Sequence, residues 1–349
     1  MRRVAFAVPG DLNTPTGGYA YDRRVIAELR ALGWGVAVID LGDGFPHPSA
    51  PTQEGARARL AAVPPACPIV IDGLAFGVLP EVAAMLGGTH ALIALVHHPL
   101  ALETGLAPAE AARLAESERA ALAGARQVVA TSAATARLLV CDFAVPPDRI
   151  VVAPPGSDKV APARGSHGGP VELLAVGAIV ERKGYDVLIA ALAGLTDLPW
   201  RLTIAGDRDR DPPIAARLEA DIARRGLEAR VVLEGAVPAA RLAALHQNAD
   251  LFVLASRFEG YGMAYADAIA HGLPVIGTDA GAIPDTVPAG AGVLVPPDDV
   301  AALAAALRRL IADGDERARV AAGARAAAAR LPTWADTARL VAQAIEAAA

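Results

Sequence analysis

Apolar positions along the chain fall into short runs separated by longer stretches of helical periodicity. RVAFAVP (3–9) is the first run, followed by the Gly/Thr/Pro-rich loop GDLNTPTGGYAY. A helical pattern from about Tyr21 to Ala31 places Val25, Ile26 and Leu29 on one face and closes at Gly33, and VAVID (36–40) follows. Strand, Gly-rich loop, helix and strand in this order predict a βαβ unit and a parallel sheet. Further apolar runs at 69–74, 91–99, 128–132 and 149–158 alternate with Ala-rich helical stretches. Residues 161–170 (APARGSHGGP) have no apolar period and read as a linker. A second series then begins at 171–179 and continues at 200–207, 230–237, 249–256 and 273–279. A last helix is expected at 333–346, after Pro332. The pattern predicts an α/β protein of two doubly wound domains, 1–160 and 171–332. No tandem repeat of solenoid length is visible.

Composition narrows the class. At 349 residues there is room for two cores, and 54% apolar with only 4% aromatic content requires those cores to be built from Ala, Val, Leu and Ile. A net charge of −6 argues against a nucleic-acid partner. No apolar run is long enough to span a bilayer, and no strong membrane-surface signal stands out. The opening MRRVAFAVPGDL reads as a buried strand rather than a signal peptide, because Pro9, Gly10 and Asp11 end it early. Cys67 and Cys141 are too few for a disulfide framework and lack metal-ligand spacing. The expected location is the cytoplasm. Of 32 basic residues only Lys159 and Lys183 are lysines, so a lysine that survives this bias marks a place for a compact ammonium.

The chemistry concentrates at EGYGMAYADAIAHGLPVIGTDAG, from Glu259. Gly260 and Gly262 flank Tyr261 in a turn where the backbone can approach a ligand closely. The helix that follows exposes amides near Met263 and Ala264, an anion site. Glu259 lies outside that site and Asp267 about one turn inside the helix. A phosphate there has an acidic hydrogen-bond acceptor on each side, which describes a nucleotide sugar. A second constellation is VGAIVERKGYDVLIAAL: a strand ends at Gly177, and a short loop carries Arg182 and Lys183. Two cations at the C-terminal edge of a parallel sheet can neutralise a diphosphate as it leaves. Gly17 and Gly18 open the first helix and offer backbone amides to a diphosphate or an acceptor. His97 and His98 follow the strand ALIALV.

The Glu259 stretch resembles the E-x7-E signature of the retaining family 4 glycosyltransferases, which have the GT-B fold. That resemblance implies a hexosyltransferase with two Rossmann-like domains facing a central cleft, the final helix (333–349) crossing back onto the first. It implies that Glu259 contacts the donor sugar and that Asp267, one methylene shorter than the family's Glu, holds the ribose. Lys183 matches the family's lysine. Ala178 stands where an arginine is usual, and Arg182 is the expected substitute. His97 is the better match to a histidine that faces the donor sugar, with His98 the alternative. Gly206, Asp207 and Gly235 fall at edges that contact base and phosphates, and turns similar to Thr131–Ser132 and Pro154–Ser157 occur in the family. Tyr19, His98 and Glu103 are candidates for the acceptor pocket. The implied reaction moves a sugar from a UDP- or GDP-type donor to a small-molecule or glycan acceptor by front-face attack. No separate cofactor and no metal are expected, the nucleotide sugar being a co-substrate. A nucleotide-sugar 2-epimerase or a non-catalytic binding subunit are the alternatives. The epimerase would need a cluster of acid/base carboxylates and histidines, and none is apparent in the sequence.

Overall fold

The computed structural model describes residues 2–166 and 168–349. The chain divides into two compact units, Met1–Gly156 with Pro332–Ala349, and Ser157–Leu331. The first holds β1 (Arg3–Val8), β2 (Gly35–Asp40), β3 (Ile69–Asp72), β4 (Leu92–Val96), β5 (Gln127–Ala130) and β6 (Ile150–Val152). These form one sheet in the order β2-β1-β3-β4-β5-β6, every pairing parallel. Strands β3 and β4 are buried along their whole length, as befits a sheet covered on both faces. The order reverses beside β1, so the C-terminal ends of β1, β3 and β4 border the switch point where such sheets bind ligands.

The second unit repeats this plan with β7 (Val171–Val176), β8 (Trp200–Ala205), β9 (Val231–Gly235), β10 (Leu251–Val253), β11 (Val275–Thr278) and β12 (Gly292–Val295). Their order is β12-β11-β10-β7-β8-β9, again parallel throughout. Here the switch point lies between β7 and β10, which pair through Leu173 with Leu251 and Leu174 with Phe252. The core is aliphatic, with Trp200, Tyr265 and Phe252 among the few large rings fully enclosed.

Two boundaries differ from the sequence reading. The units divide at Gly156/Ser157, and the segment read as a linker is tied to the second unit. Ala163 N–H donates to His271 O at 2.7 Å, Arg164 N–H to Gln247 O at 2.8 Å, and Ser166 N–H to Asp250 Oδ1 at 3.0 Å. A stretch without side-chain periodicity can still be held by its backbone; His167, within it, lies outside the described residues. The first helix runs Gly17–Ala31, so both glycines are helical rather than in the loop, and Thr16 Oγ1 caps it by accepting the Tyr19 amide.

The final helix, Trp334–Ala348, belongs to the first unit. Thr333 and Asp336 form a capping box, and the buried face carries Trp334, Thr337, Ala338, Val341 and Ile345. It packs on the helix Gly17–Ala31 and on β4, β5 and β6. Thr337 Oγ1 donates to Pro154 O at 2.7 Å, and a Cβ on Gly156 would meet Trp334 N at 2.2 Å. Among the described residues no helix is long and apolar enough to cross a membrane.

Candidate functional site

In the second unit the loop after β10 delivers Glu259 to the loop after β7. Glu259 is 7% exposed, and each carboxylate oxygen has a partner. Lys183 Nζ donates to Oε1 at 2.7 Å, Ser256 Oγ to the same oxygen at 2.6 Å, and Arg182 Nη1 to Oε2 at 3.0 Å. Burial alone would raise this carboxyl, but Lys183 and Arg182 outweigh it and hold it at about 2. The carboxylate is therefore charged at any physiological pH. Arg182 also donates to Phe258 O at 2.9 Å, and Arg257 braces the same loops by pairing with Asp186 at 2.8 Å and Asp298 at 2.7 Å.

Two glycines make this packing possible. Gly177, at the end of β7, has φ +151°, and a Cβ there would meet Lys183 Cε at 2.9 Å, so the lysine stem lies across it. Tyr185 Oη donates to Gly177 O at 2.7 Å and fixes the carbonyl. Gly262 caps the helix Met263–Ala270 in a left-handed conformation (φ +92°) without a side chain over the first amides. Gly260, Tyr261 and Gly262 thus connect Glu259 directly to a helix N-terminus, whose dipole and unpaired amides favour an anion. Met263 and Ala264, the first helical residues, are half-buried.

Asp267 lies on the same helix, half-buried, with burial and nearby Asp158 pushing its carboxyl up to about 6. Burial and Asp267 together push Tyr261 up to about 12. Gly235 ends β9 with φ +72° and accepts the Gly206 amide at 2.8 Å.

In the first unit two buried carboxylates and a half-buried imidazole converge at the switch point. His97 follows β4, Asp72 ends the adjacent β3, and Asp22 comes from the helix after β1. His97 Nε2 lies 3.3 Å from Asp22 Oδ1 and 3.4 Å from Asp72 Oδ2. Burial and the neighbouring Asp72 push Asp22 up to about 7. Burial opposes charge on His97, but the two carboxylates outweigh it and raise the imidazole to about 10. Tyr21 stands edge-on to the ring at 5.3 Å, and a Cβ on Gly18 would meet His97 Cδ2 at 3.3 Å.

Residues 157–327 match the family described as Glycosyl transferases group 1. By its second unit, the chain belongs to the group 1 glycosyl transferases. A D-inositol 3-phosphate glycosyltransferase of Xylanimonas cellulosilytica is 34% identical over 66% of this chain and 59% of its own length. An MMP alpha-(1→4)-mannosyltransferase of Mycolicibacterium hassiacum is 29% identical over 83% of this chain and 73% of its own length. The chain spans between 54 and 59% of the length of three D-inositol 3-phosphate glycosyltransferases that it matches. Sucrose-phosphate synthase from Thermosynechococcus elongatus superposes with a TM-score of 0.82 at 22% identity, covering 98% of each chain. Anabaena HepE in complex with UDP-glucose gives 0.79 at 19% identity, covering 98% of this chain and 99% of that one. The fold is therefore GT-B. The epimerase alternative finds no support among these relatives.

Within this group 1 chain, the structure brings Gly177, Arg182, Lys183 and Glu259 into one contact set, with Gly260–Ala264 continuing from it. Ser256, which the sequence reading missed, completes the shell around Glu259. Ala178 carries no charge, and Arg182 supplies the second cation from the single turn Glu181–Lys183. In the first unit Gly18 lies against His97, while His98 and Glu103 pair with each other at 3.3 Å. Tyr19 Oη donates to Pro9 O and helps hold the loop after β1. Thr131 Oγ1 donates to His97 O at 3.0 Å, and Ser132 caps the helix Ala133–Cys141.

The sequence reading found no cluster of carboxylates with histidine. The fold assembles one from Asp22, Asp72 and His97, residues on three separate segments.

Proposed function

We propose that the chain is a retaining glycosyltransferase that moves a sugar from a UDP- or GDP-type donor to a small-molecule or glycan acceptor. The observation that carries this reading is the buried Glu259 carboxylate, held by Lys183, Arg182 and Ser256 at the head of the helix Met263–Ala270. A diphosphate seated on the Met263 and Ala264 amides would lie beside both cations. A lysine ammonium has three donors, so Lys183 can serve Glu259 and a phosphate oxygen together. As the bond to the sugar breaks, negative charge grows on the diphosphate, and Lys183 and Arg182 meet it with little rearrangement.

In this reading Glu259 accepts hydrogen bonds from the donor sugar and Asp267 from the ribose. The leaving diphosphate assists front-face attack by the acceptor, so no carboxylate acts as a covalent nucleophile. Two cations and a helix N-terminus meet the diphosphate charge, and the step needs no divalent metal or separate cofactor. His97 Nε2 is enclosed by its carboxylates while 22% of the side chain is exposed, so any contact with sugar uses the rest of the ring. Tyr19, His98 and Glu103 are assigned to the acceptor side. Two free cysteines fit a cytoplasmic setting.

The test is a screen of nucleotide sugars against polyol, sugar-phosphate and glycan acceptors, with products identified by mass spectrometry. The coupling constant of the new anomeric proton reports retention. A product of inverted configuration would remove the front-face mechanism, and binding of donor without any turnover would favour a non-catalytic subunit.

A further inference from the structure

The Asp22, Asp72 and His97 cluster lies wholly in the first unit and is separate from the diphosphate reading above. Asp72 Oδ1 accepts the Leu74 amide at 2.7 Å, which leaves Oδ2 facing His97 Nε2. Asp22 is 0% exposed, and neither of its oxygens has a hydrogen-bond partner among the described residues; the same is true of His97 Nε2. A buried carboxylate left in this state is costly unless something else satisfies it.

The spacing indicates what that is. One N–H shared between two carboxylates points straight at neither and makes only long, bent contacts, whereas a charge-assisted N–H···O bond made to one of them closes to about 2.7–2.9 Å. Lys183 and Glu259 do close, at 2.7 Å, whereas the two contacts of His97 stay at 3.3 and 3.4 Å. An ion bound by nitrogen and oxygen at about 2.0–2.1 Å in tetrahedral geometry keeps its ligands roughly 3.3–3.4 Å apart. Charge agrees with distance. With both carboxylates charged, an imidazolium leaves one negative charge buried, whereas a divalent ion with neutral imidazole leaves none.

We propose that Asp22, Asp72 and His97 bind a divalent transition ion of zinc type through Oδ1, Oδ2 and Nε2. Three protein ligands leave the fourth position to water or a ligand hydroxyl, and the partly exposed ring of His97 marks the way in. The Leu74 amide on Asp72 and the Thr131 hydroxyl on the His97 carbonyl orient the ligands from outside. The ion ties the ends of β3 and β4 to the first helix.

The full chain, stripped with a chelator and dialysed, is titrated with zinc chloride alone by calorimetry and with cobalt chloride by visible absorption. Expected are one ion per chain, an intense four-coordinate cobalt band, and a melting temperature that rises with zinc concentration. Asp22→Asn and His97→Gln weaken zinc binding by about 100-fold or more, while Asp221→Asn, at a surface ion pair with Arg224 and Arg225, binds as the unaltered chain does. Absence of zinc binding, a six-coordinate cobalt spectrum, or undiminished binding by Asp22→Asn overturns the site. The cobalt spectrum of the unaltered chain decides the matter even if a variant fails to fold.

Discussion

Lys183 Nζ and Glu259 Oε1 lie 2.7 Å apart, and their pairing joins the loop after β7 to the loop after β10. With Arg182 on the other oxygen, the buried carboxylate balances two cations at the switch point of the second sheet. Glu259→Gln keeps the shape and removes the charge. Transfer should fall by about two orders of magnitude or more, as when a preorganised polar contact to a reacting group is lost. Turnover near that of the unaltered chain would take Glu259 out of the site.

The same carboxylate should leave a mark on acid stability. Its folded value is about 2, against an ordinary 4.5. Between these values the unfolded chain binds the extra proton, so stability rises with pH there. The contribution is complete above about pH 4.5 and lost as pH falls toward about 2. The melting temperature of the unaltered chain should therefore drop more steeply below about pH 5 than that of Glu259→Gln, with a constant gap at neutral pH. Parallel curves in calorimetric scans would show that the pair does not stabilise the fold.

Lys183→Ala should weaken nucleoside diphosphate binding far more than nucleoside binding. A charge-assisted contact to phosphate is worth about 1.5–3 kcal/mol, or roughly 10- to 150-fold in affinity. Calorimetry with both ligands checks it, and equal losses would contradict a phosphate role. Because the variant also leaves Glu259 with one cation fewer, the nucleoside serves as the control for general damage.

How far these sites could be read in advance depends on how local their signals are. Glu259, Gly262 and Asp267 sit on one turn and helix, and Lys183 on one loop, so spacing along the chain places them. Asp22 is different. It follows Tyr21 on the buried face that also carries Val25, Ile26 and Leu29, where a single acid reads as an interruption of the apolar stripe. Asp72 ends an apolar run and caps the short helix Gly73–Phe76, an ordinary turn in the sequence. Only the strand order β1-β3-β4 brings both to His97. Ser256 lies only three residues before Glu259, but a serine at the end of an apolar run carries no signal of its own, and the 161–166 segment was hidden because its partners lie on distant elements.

Asp267 sets function against stability. Its folded value is raised from 3.8 to about 6 by burial and by Asp158, so the fold disfavours the charged form. A raised value means the folded chain holds the proton longer, and the group's contribution to stability declines as pH rises through about 6. Asp267→Asn should accordingly raise the melting temperature at about pH 8 and change it little at about pH 4. If the carboxylate holds ribose, the same variant and Asp267→Ala should raise donor KM with a smaller effect on kcat, because ribose contacts are made equally in ground and transition states. Asp267→Glu, with the longer reach, should keep or improve donor affinity. A stability gain without any change in KM would leave Asp267 a desolvated helix residue with no part in donor binding. A large loss of kcat at unchanged KM would instead place it beside the reacting sugar, and the division of roles between Glu259 and Asp267 would have to be redrawn.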